Sequence, residues 1–276
     1  MRTELLELLA PSPARLRILV VDGSEHLAHL REMYPYAEIH AITPYLEIAE
    51  DERITTLNVH AHVLDWRRDP LPFAEEYFDR IVSEFAIESA YEPYDSLMAL
   101  NRALKETGTL YTCYTNIRYH RVLAALQVGE FPVRGDRHLY AKPEIVRLLN
   151  DTLYKEIHFF AGERDDDPAA AQAGGGVGFA NFSEDLTTRT WLVAASRSTA
   201  TAANLKLFFS NETRRTIACL LHRIEYDVVP EDAAAELREL CTREGIFRAY
   251  LADFITEVCV HEERVRAALA KLLAEI

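Results

Sequence analysis

Ile18-Leu19-Val20-Val21 is an unbroken apolar run that meets a turn at Asp22-Gly23-Ser24. A strand buried on both faces reads this way because none of its positions faces water, and the usual cover is helices on both sides of a parallel sheet. The rest of the chain must therefore supply alternating strands and helices. Leu27 to Met33 predicts a crossover helix and Ala37 to Ile42 a second strand, ended by Thr43-Pro44. Tyr45 to Arg53 reads as a short helical stretch, Asn58 to Leu64 as a third strand, and Asp79 to Ser83 as a fourth. Tyr94 to Lys105 sets Leu97, Leu100 and Leu104 on one helical face closed by Gly108, and Thr109 to Thr115 follows as a fifth strand. A helix over Pro143 to Leu149 and strands over Tyr154 to Ala161 and Thr190 to Ala195 complete the pattern. Strands and helices at this spacing predict a doubly wound α/β sheet within residues 1–200.

Gly162 to Arg189, with its acidic run Asp165 to Asp167 and the cluster Gly174-Gly175-Gly176, predicts a mobile loop inside that domain. Beyond Asn204 only helical periodicity remains: Leu205 to Val228, Glu231 to Glu244 between Pro230 and Gly245, and Ile246 to Ile276. Phe247, Leu251, Phe254, Val258, Val265, Leu269 and Leu272 make one apolar stripe on the last of these. A segment as short as 204–276 buries little alone, so it is expected to pack on the main domain, a second copy or a protein partner.

A net charge of −14 disfavours a long nucleic acid, whose phosphates need a continuous basic surface. Cys113, Cys219, Cys241 and Cys259 form no CxxC pair, which argues against a zinc knuckle and a disulfide framework and for a reducing, cytoplasmic setting. Met1 to Leu9 carries Glu4 and Glu7 within its apolar periodicity and reads as a short amphipathic helix rather than a signal peptide. No apolar stretch approaches the ~20 residues that span a bilayer, so no membrane is expected.

The order of elements, with Val63-Leu64-Asp65-Trp66, Pro70-Leu71-Pro72-Phe73, Phe78-Asp79-Arg80-Ile81-Val82-Ser83 and Leu104 to Tyr111, resembles the class I S-adenosylmethionine-dependent methyltransferases over about residues 14 to 197. The resemblance implies a Rossmann-like sheet with a closing antiparallel hairpin, S-adenosylmethionine as cofactor, and a small-molecule acceptor. It implies a donor site of Asp22, Gly23 and Ser24 in the first turn, Thr43 at the ribose position, and Asp65 with Trp66 at the adenine position. Two of these depart from the family pattern. The turn keeps one glycine and continues into Glu25, His26 and Leu27, where a side chain obstructs close backbone approach; Thr43 replaces a carboxylate. The missing carboxylate removes a charge-assisted contact worth ~1–3 kcal/mol. If the donor binds, alignment contributes up to ~7–11 kcal/mol to transfer, and Glu84 is the candidate catalytic base.

Other groups have plainer readings. Glu84, Glu88 and Glu92 recur every four residues and predict a solvated helix face. His60 and His62 share one strand face with Asp65 on the other, and His26 and His29 read as helix-surface residues, so no metal is expected. Arg118, His120, Arg121, Arg134, Arg137 and His138 form the most basic stretch, suited to an anionic acceptor or to ordinary surface charge. Tyr91, Tyr94, Tyr114 and Tyr119 flank the same crevice, giving Tyr91, Tyr114, Arg118 and His120 as candidate acceptor contacts. The alternative to an enzyme is a non-catalytic descendant of the fold that assembles with a partner through its helical tail.

Overall fold

The computed structural model describes residues 4–84, 86–131, 137–165, 184–199, 205 and 208–275. The chain divides into two compact units, Met1–Arg197 and Ser198–Ile276. Arg134, the Gly174 cluster and most of the expected loop lie outside the described residues.

The first unit is built on a seven-stranded sheet of β1 (Arg17–Val21), β2 (Glu38–Thr43), β3 (Val59–Val63), β4 (Phe78–Ser83), β5 (Leu104–Thr115), β6 (Glu156–Ala161) and β7 (Thr190–Ser196), in the order β3-β2-β1-β4-β5-β7-β6. The first five strands are parallel, and β7 runs antiparallel to both β5 and β6. Alternate residues of β1 feed two cores, as the pleat requires. Leu19 and Val21 join Ile42, Ile81 and Leu110 under α5 (Pro93–Ala103) and α7 (Lys142–Asp151). Ile18 and Val20 join Ile39 and Val82 under α1 (Glu4–Glu7) and α2 (Leu27–Met33). Between β2 and β3 lie two short helices, α3 (Leu46–Ala49) and α4 (Glu52–Thr55), where one helical stretch was expected; Asp51 separates them, its carboxylate accepting the Arg53 N–H at 2.8 Å. The helix expected to run to Lys105 ends at Ala103, and Gly108 lies inside β5, not at a helix end. A Cβ there would stand 3.1 Å from Phe78 O and 2.8 Å from Leu104 Cδ2, so the strand keeps a residue with no side chain where β5 shifts register against β4. Helix α6 (His120–Gln127) occupies part of the stretch read only for its basic charge.

The second unit contains α8 (Asn211–Glu225), α9 (Pro230–Glu244), α10 (Arg248–Val258), α11 (Glu262–Ala268) and α12 (Ala270–Glu275). The single terminal helix expected over Ile246 to Ile276 is broken at Cys259–His261, where Glu225 accepts the His261 N–H at 2.6 Å in place of a helical carbonyl. Contrary to expectation, this segment has a core of its own, including Ile217, Leu221, Leu237, Leu251, Ile255 and Val265, each fully buried. Among the described residues, no helix is long and apolar enough to cross a membrane.

His60 and His62 share a face of β3, where their rings stack on His40 of β2 at 4.9 and 5.3 Å. His40 Nδ1 and His62 Nε2 are 3.0 Å apart, and His40 Nε2 lies 3.0 Å from Glu38, which also meets Arg17 and the Tyr77 hydroxyl. Burial holds His40 below the ordinary histidine value, with Glu38 pulling it partly back, and burial lowers His62 likewise. A histidine depressed in the folded state takes up its proton more readily when unfolded. Its contribution is therefore intact above the unfolded pKa of about 6.5 and is lost as pH falls below it. The unfolding midpoint read by tryptophan fluorescence is expected to drop between about pH 7 and pH 5, and His40→Gln to flatten that drop. An identical slope in the variant would remove this cluster as its source.

Candidate functional site

β1 and β4 are parallel neighbours with Val21 opposite Ser83, so the turn after β1 and the residue after β4 meet above the sheet. Asp22 leaves β1 with a left-handed backbone (φ 51°), a conformation that its short polar side chain tolerates, and donates its N–H to Ile42 O at 3.1 Å. The chain turns at Gly23, whose carbonyl accepts the His26 N–H at 3.0 Å, and a 3-10 turn over Ser24–His26 leads into α2. This turn points His26 inward. The residue is 1% exposed, with Nε2 at 3.6 Å from Glu84 Oε2. A Cβ on Gly23 would stand 3.0 Å from His26 Cδ2, so the hollow of the glycine turn is filled by the chain's own imidazole. His26 is thus not the surface residue its sequence position suggests: it precedes α2 and is aimed by the 3-10 turn. His29, inside α2, is exposed beside Glu32.

The carboxylates after β4 also depart from expectation. Residues 86–88 form turns, not a helix, and Glu84 and Glu88 are 4% and 1% exposed. The segment crosses the carboxyl end of the sheet before α5 begins at Pro93, which turns these carboxylates toward β1 and β5 rather than water. Glu88 accepts the Thr115 N–H and lies 3.8 Å from Arg137; Glu92, preceding α5, is exposed.

A second group adjoins the turn. Trp66, buried, donates its indole N–H to Asp22. Burial pushes the Asp22 carboxyl up, opposed by Trp66 and Arg67. Asp65 is bound by Arg67 at 3.0 Å and faces Arg68 at 3.8 Å; burial raises its carboxyl, but the arginines outweigh burial and hold it below the usual range. Arg68 in turn donates to the Tyr91 hydroxyl at 3.3 Å and lies over its ring. Thr43, at the end of β2, is buried, and its hydroxyl accepts the Tyr45 N–H at 3.3 Å. Of the expected donor residues, Asp22 is taken by Trp66, Asp65 by Arg67 and the Thr43 hydroxyl by Tyr45.

The four candidate acceptor contacts are not gathered in one place. Tyr91 belongs to the Asp65 group. Tyr114 lies fully buried, edge-on to Phe159, and burial drives its phenol far above the ordinary value. Arg118 pairs with Asp185 at 3.3 Å. His120 meets Asp165 at 3.1 Å, beside a cavity of about 430 Å³ at the carboxyl end of β5. Arg121, Arg164 and Arg189 line this cavity together with Glu163 and Asp165. Arg121 pairs with Asp165 and Arg189 with Glu163, each at 2.7 Å. Asn116, which no sequence signal marks, organises the rim: its fully buried side-chain amide donates to Asp185 O at 2.7 Å and Thr188 O at 2.9 Å, while its oxygen accepts the Arg118 N–H.

Residues 21–112 match the family model of a methyltransferase domain. The match covers about a third of the chain and lies within the first unit. Its sheet order and closing antiparallel pair are those of the Rossmann-like methyltransferase fold. No curated protein sequence matches the chain. Among solved structures, it is similar to a chain of the Haloferax volcanii complex between the Trm112 methyltransferase activator and a methyltransferase, at 20% identity, with 71% of this chain and 88% of that one covered and a TM-score of 0.49. It is also similar to a Bacillus halodurans methyltransferase at 15% identity, covering 71% and 98% of the two chains with a TM-score of 0.47. A Thermotoga maritima S-adenosylmethionine-dependent methyltransferase aligns at 13% identity, covering 71% and 87% with a TM-score of 0.48. The matched family model implies S-adenosylmethionine as the group such a site would hold, but the residues present do not fit it in that family's position. His26 occupies the hollow that the glycine turn would offer, and Asp65 is held by Arg67.

Proposed function

We propose that this protein is a methyltransferase-fold binding or assembly module that does not hold the methyl donor in the family's manner. The observation that carries this reading is His26, buried under Gly23 and against Glu84, in the hollow that must stay open for a donor. Side-chain overlap there is not a graded penalty, because close backbone approach is what the turn is for. The helical unit supplies surface for a partner: Tyr226, Val228, Val229 and Val260 are each more than half exposed. Apolar groups of this kind, set among charged residues, suit a protein partner or a second copy of the chain.

The cavity beside β5 favours a second reading, a methyltransferase acting on a small anionic acceptor held by Arg121, Arg164 or Arg189. One titration separates the two. The full chain mixed with S-adenosylmethionine, or separately S-adenosylhomocysteine, is expected to give no binding heat and no thermal shift. A donor site working at a thousandfold excess of ligand over its Kd would add about 4 kcal/mol of stability. Micromolar binding, abolished by Asp65→Ala, would sink the module reading and start a search for the acceptor.

A further inference from the structure

The cluster that closes the glycine turn has the composition and spacing of a cation site. Glu25, His26 and Glu84 each present one ligand atom, and these atoms all lie within 4.8 Å of one another. Two are buried and the third, Glu25, is exposed, so the cluster has a dry floor and a wet entrance. The β1–β4 pairing fixes the floor, and the 3-10 turn places two consecutive residues over it.

His26 supplies the independent sign of a missing ligand. Its Nε2 is buried and makes no hydrogen bond. A buried imidazole nitrogen ordinarily finds a partner, and an imidazole–carboxylate pair closes to about 2.7–2.9 Å when it is a charge-assisted hydrogen bond. Here the gap to Glu84 Oε2 is 3.6 Å. Ligand atoms around a cation with bonds of about 2.0–2.2 Å stand about 3–4.4 Å apart, so this gap suits two ligands of one ion. The exposed Glu25 carboxylate can move the remaining few tenths of an ångström.

We propose that Glu25, His26 and Glu84 bind a divalent first-row transition metal cation, zinc or its neighbours, in the space where the fold's relatives seat the methyl donor. One imidazole and two carboxylates select this class: magnesium and calcium prefer all-oxygen shells, whereas imidazole suits zinc, iron, cobalt and nickel. Water fills the remaining positions on the Glu25 side, where the cluster opens to solvent.

Cobalt(II) chloride titrated into the metal-free full-length chain tests this, read by visible d–d absorption and by calorimetry, with zinc(II) as competitor. One equivalent is expected to bind, zinc to displace it, and no thiolate charge-transfer band to appear. Glu25→Gln is expected to weaken binding by at least the roughly 10–100-fold typical of losing even an outer-shell partner, and His26→Gln more. Because Glu25 is exposed, Glu25→Gln keeps the test decisive if His26→Gln fails to fold. Absence of saturable one-equivalent binding, binding that Glu25→Gln leaves unchanged, or a thiolate band would each overturn the site. The donor titration is read separately, so either result stands without the other.

Discussion

Replacing Phe78 by alanine is expected to lower the stability of the α/β unit by about 3–5 kcal/mol, a large part of a typical domain's 5–15 kcal/mol. Phe78 is fully buried at the start of β4, with Phe73, Tyr77 and His40 packed edge-on at 4.8, 5.0 and 5.5 Å. Its carbonyl also lies where β5 passes at Gly108, so the site is bounded by backbone that has little room to collapse into the cavity. Trp66 and Trp191 are the chain's two tryptophans and both lie in this unit, so urea unfolding followed by their fluorescence reads the change directly. A loss below about 1 kcal/mol would mean that the aromatic group repacks as a conservative hydrophobic swap does, and that the strand start is not a structural hub.

Asn116→Asp is the second large effect. The Asn116 amide satisfies two buried carbonyls, Asp185 O and Thr188 O, and its oxygen receives the Arg118 N–H. Aspartate keeps the acceptor but sets a carboxylate oxygen against two carbonyls, each of which costs about 1–3 kcal/mol when left unsatisfied in the interior. A total loss of about 2–5 kcal/mol is expected, with increased amide exchange at residues 184–189 before the rest of the sheet opens. Asn116→Ala should cost less than Asn116→Asp, because it adds no like-signed atom. The reverse order, or exchange that changes only at β1, would show that this side chain does not hold the rim of the β5 cavity.

How far the sequence reaches depends on whether a contact is local. β1 and α2 stand where expected because an apolar run and a one-faced periodicity are local signals; strands β6 and β7 follow for the same reason, while their antiparallel pairing is what the resemblance implies. The end of α5 is displaced because Leu104 completes the apolar stripe of the helix yet pairs with Phe78 as strand. The break after Val258 has no glycine or proline to announce it; it depends on Glu225, far away in the chain. The candidate site shows the same limit. Asp22, Asp65, Trp66 and Glu84 are what the resemblance implies, and the structure sets Trp66 on Asp22 and Glu84 beside His26 of the turn after β1. What they do there was not readable, since burial of His26 depends on a single 3-10 turn, and Glu84 and Glu88 have helical spacing without a helix. The arginines of the cavity come from α6 and from segments beside β6 and β7, and only folding brings them together.

The pairing of β5 bears on how the chain is made. β5 takes β4 on one side, from the residues just before it, but Thr109 meets Ser196 on the other, and everything between must leave the ribosome first. Synthesis at about 5–20 residues per second leaves this interior strand with one bare edge for several seconds. Leu110, Cys113 and Tyr114, all fully buried at the end, are then a ready template for another nascent chain. Vectorial synthesis thus makes β7 the step at which the sheet ceases to be sticky, and any pause before residue 190 should raise the yield of aggregates without altering the finished protein.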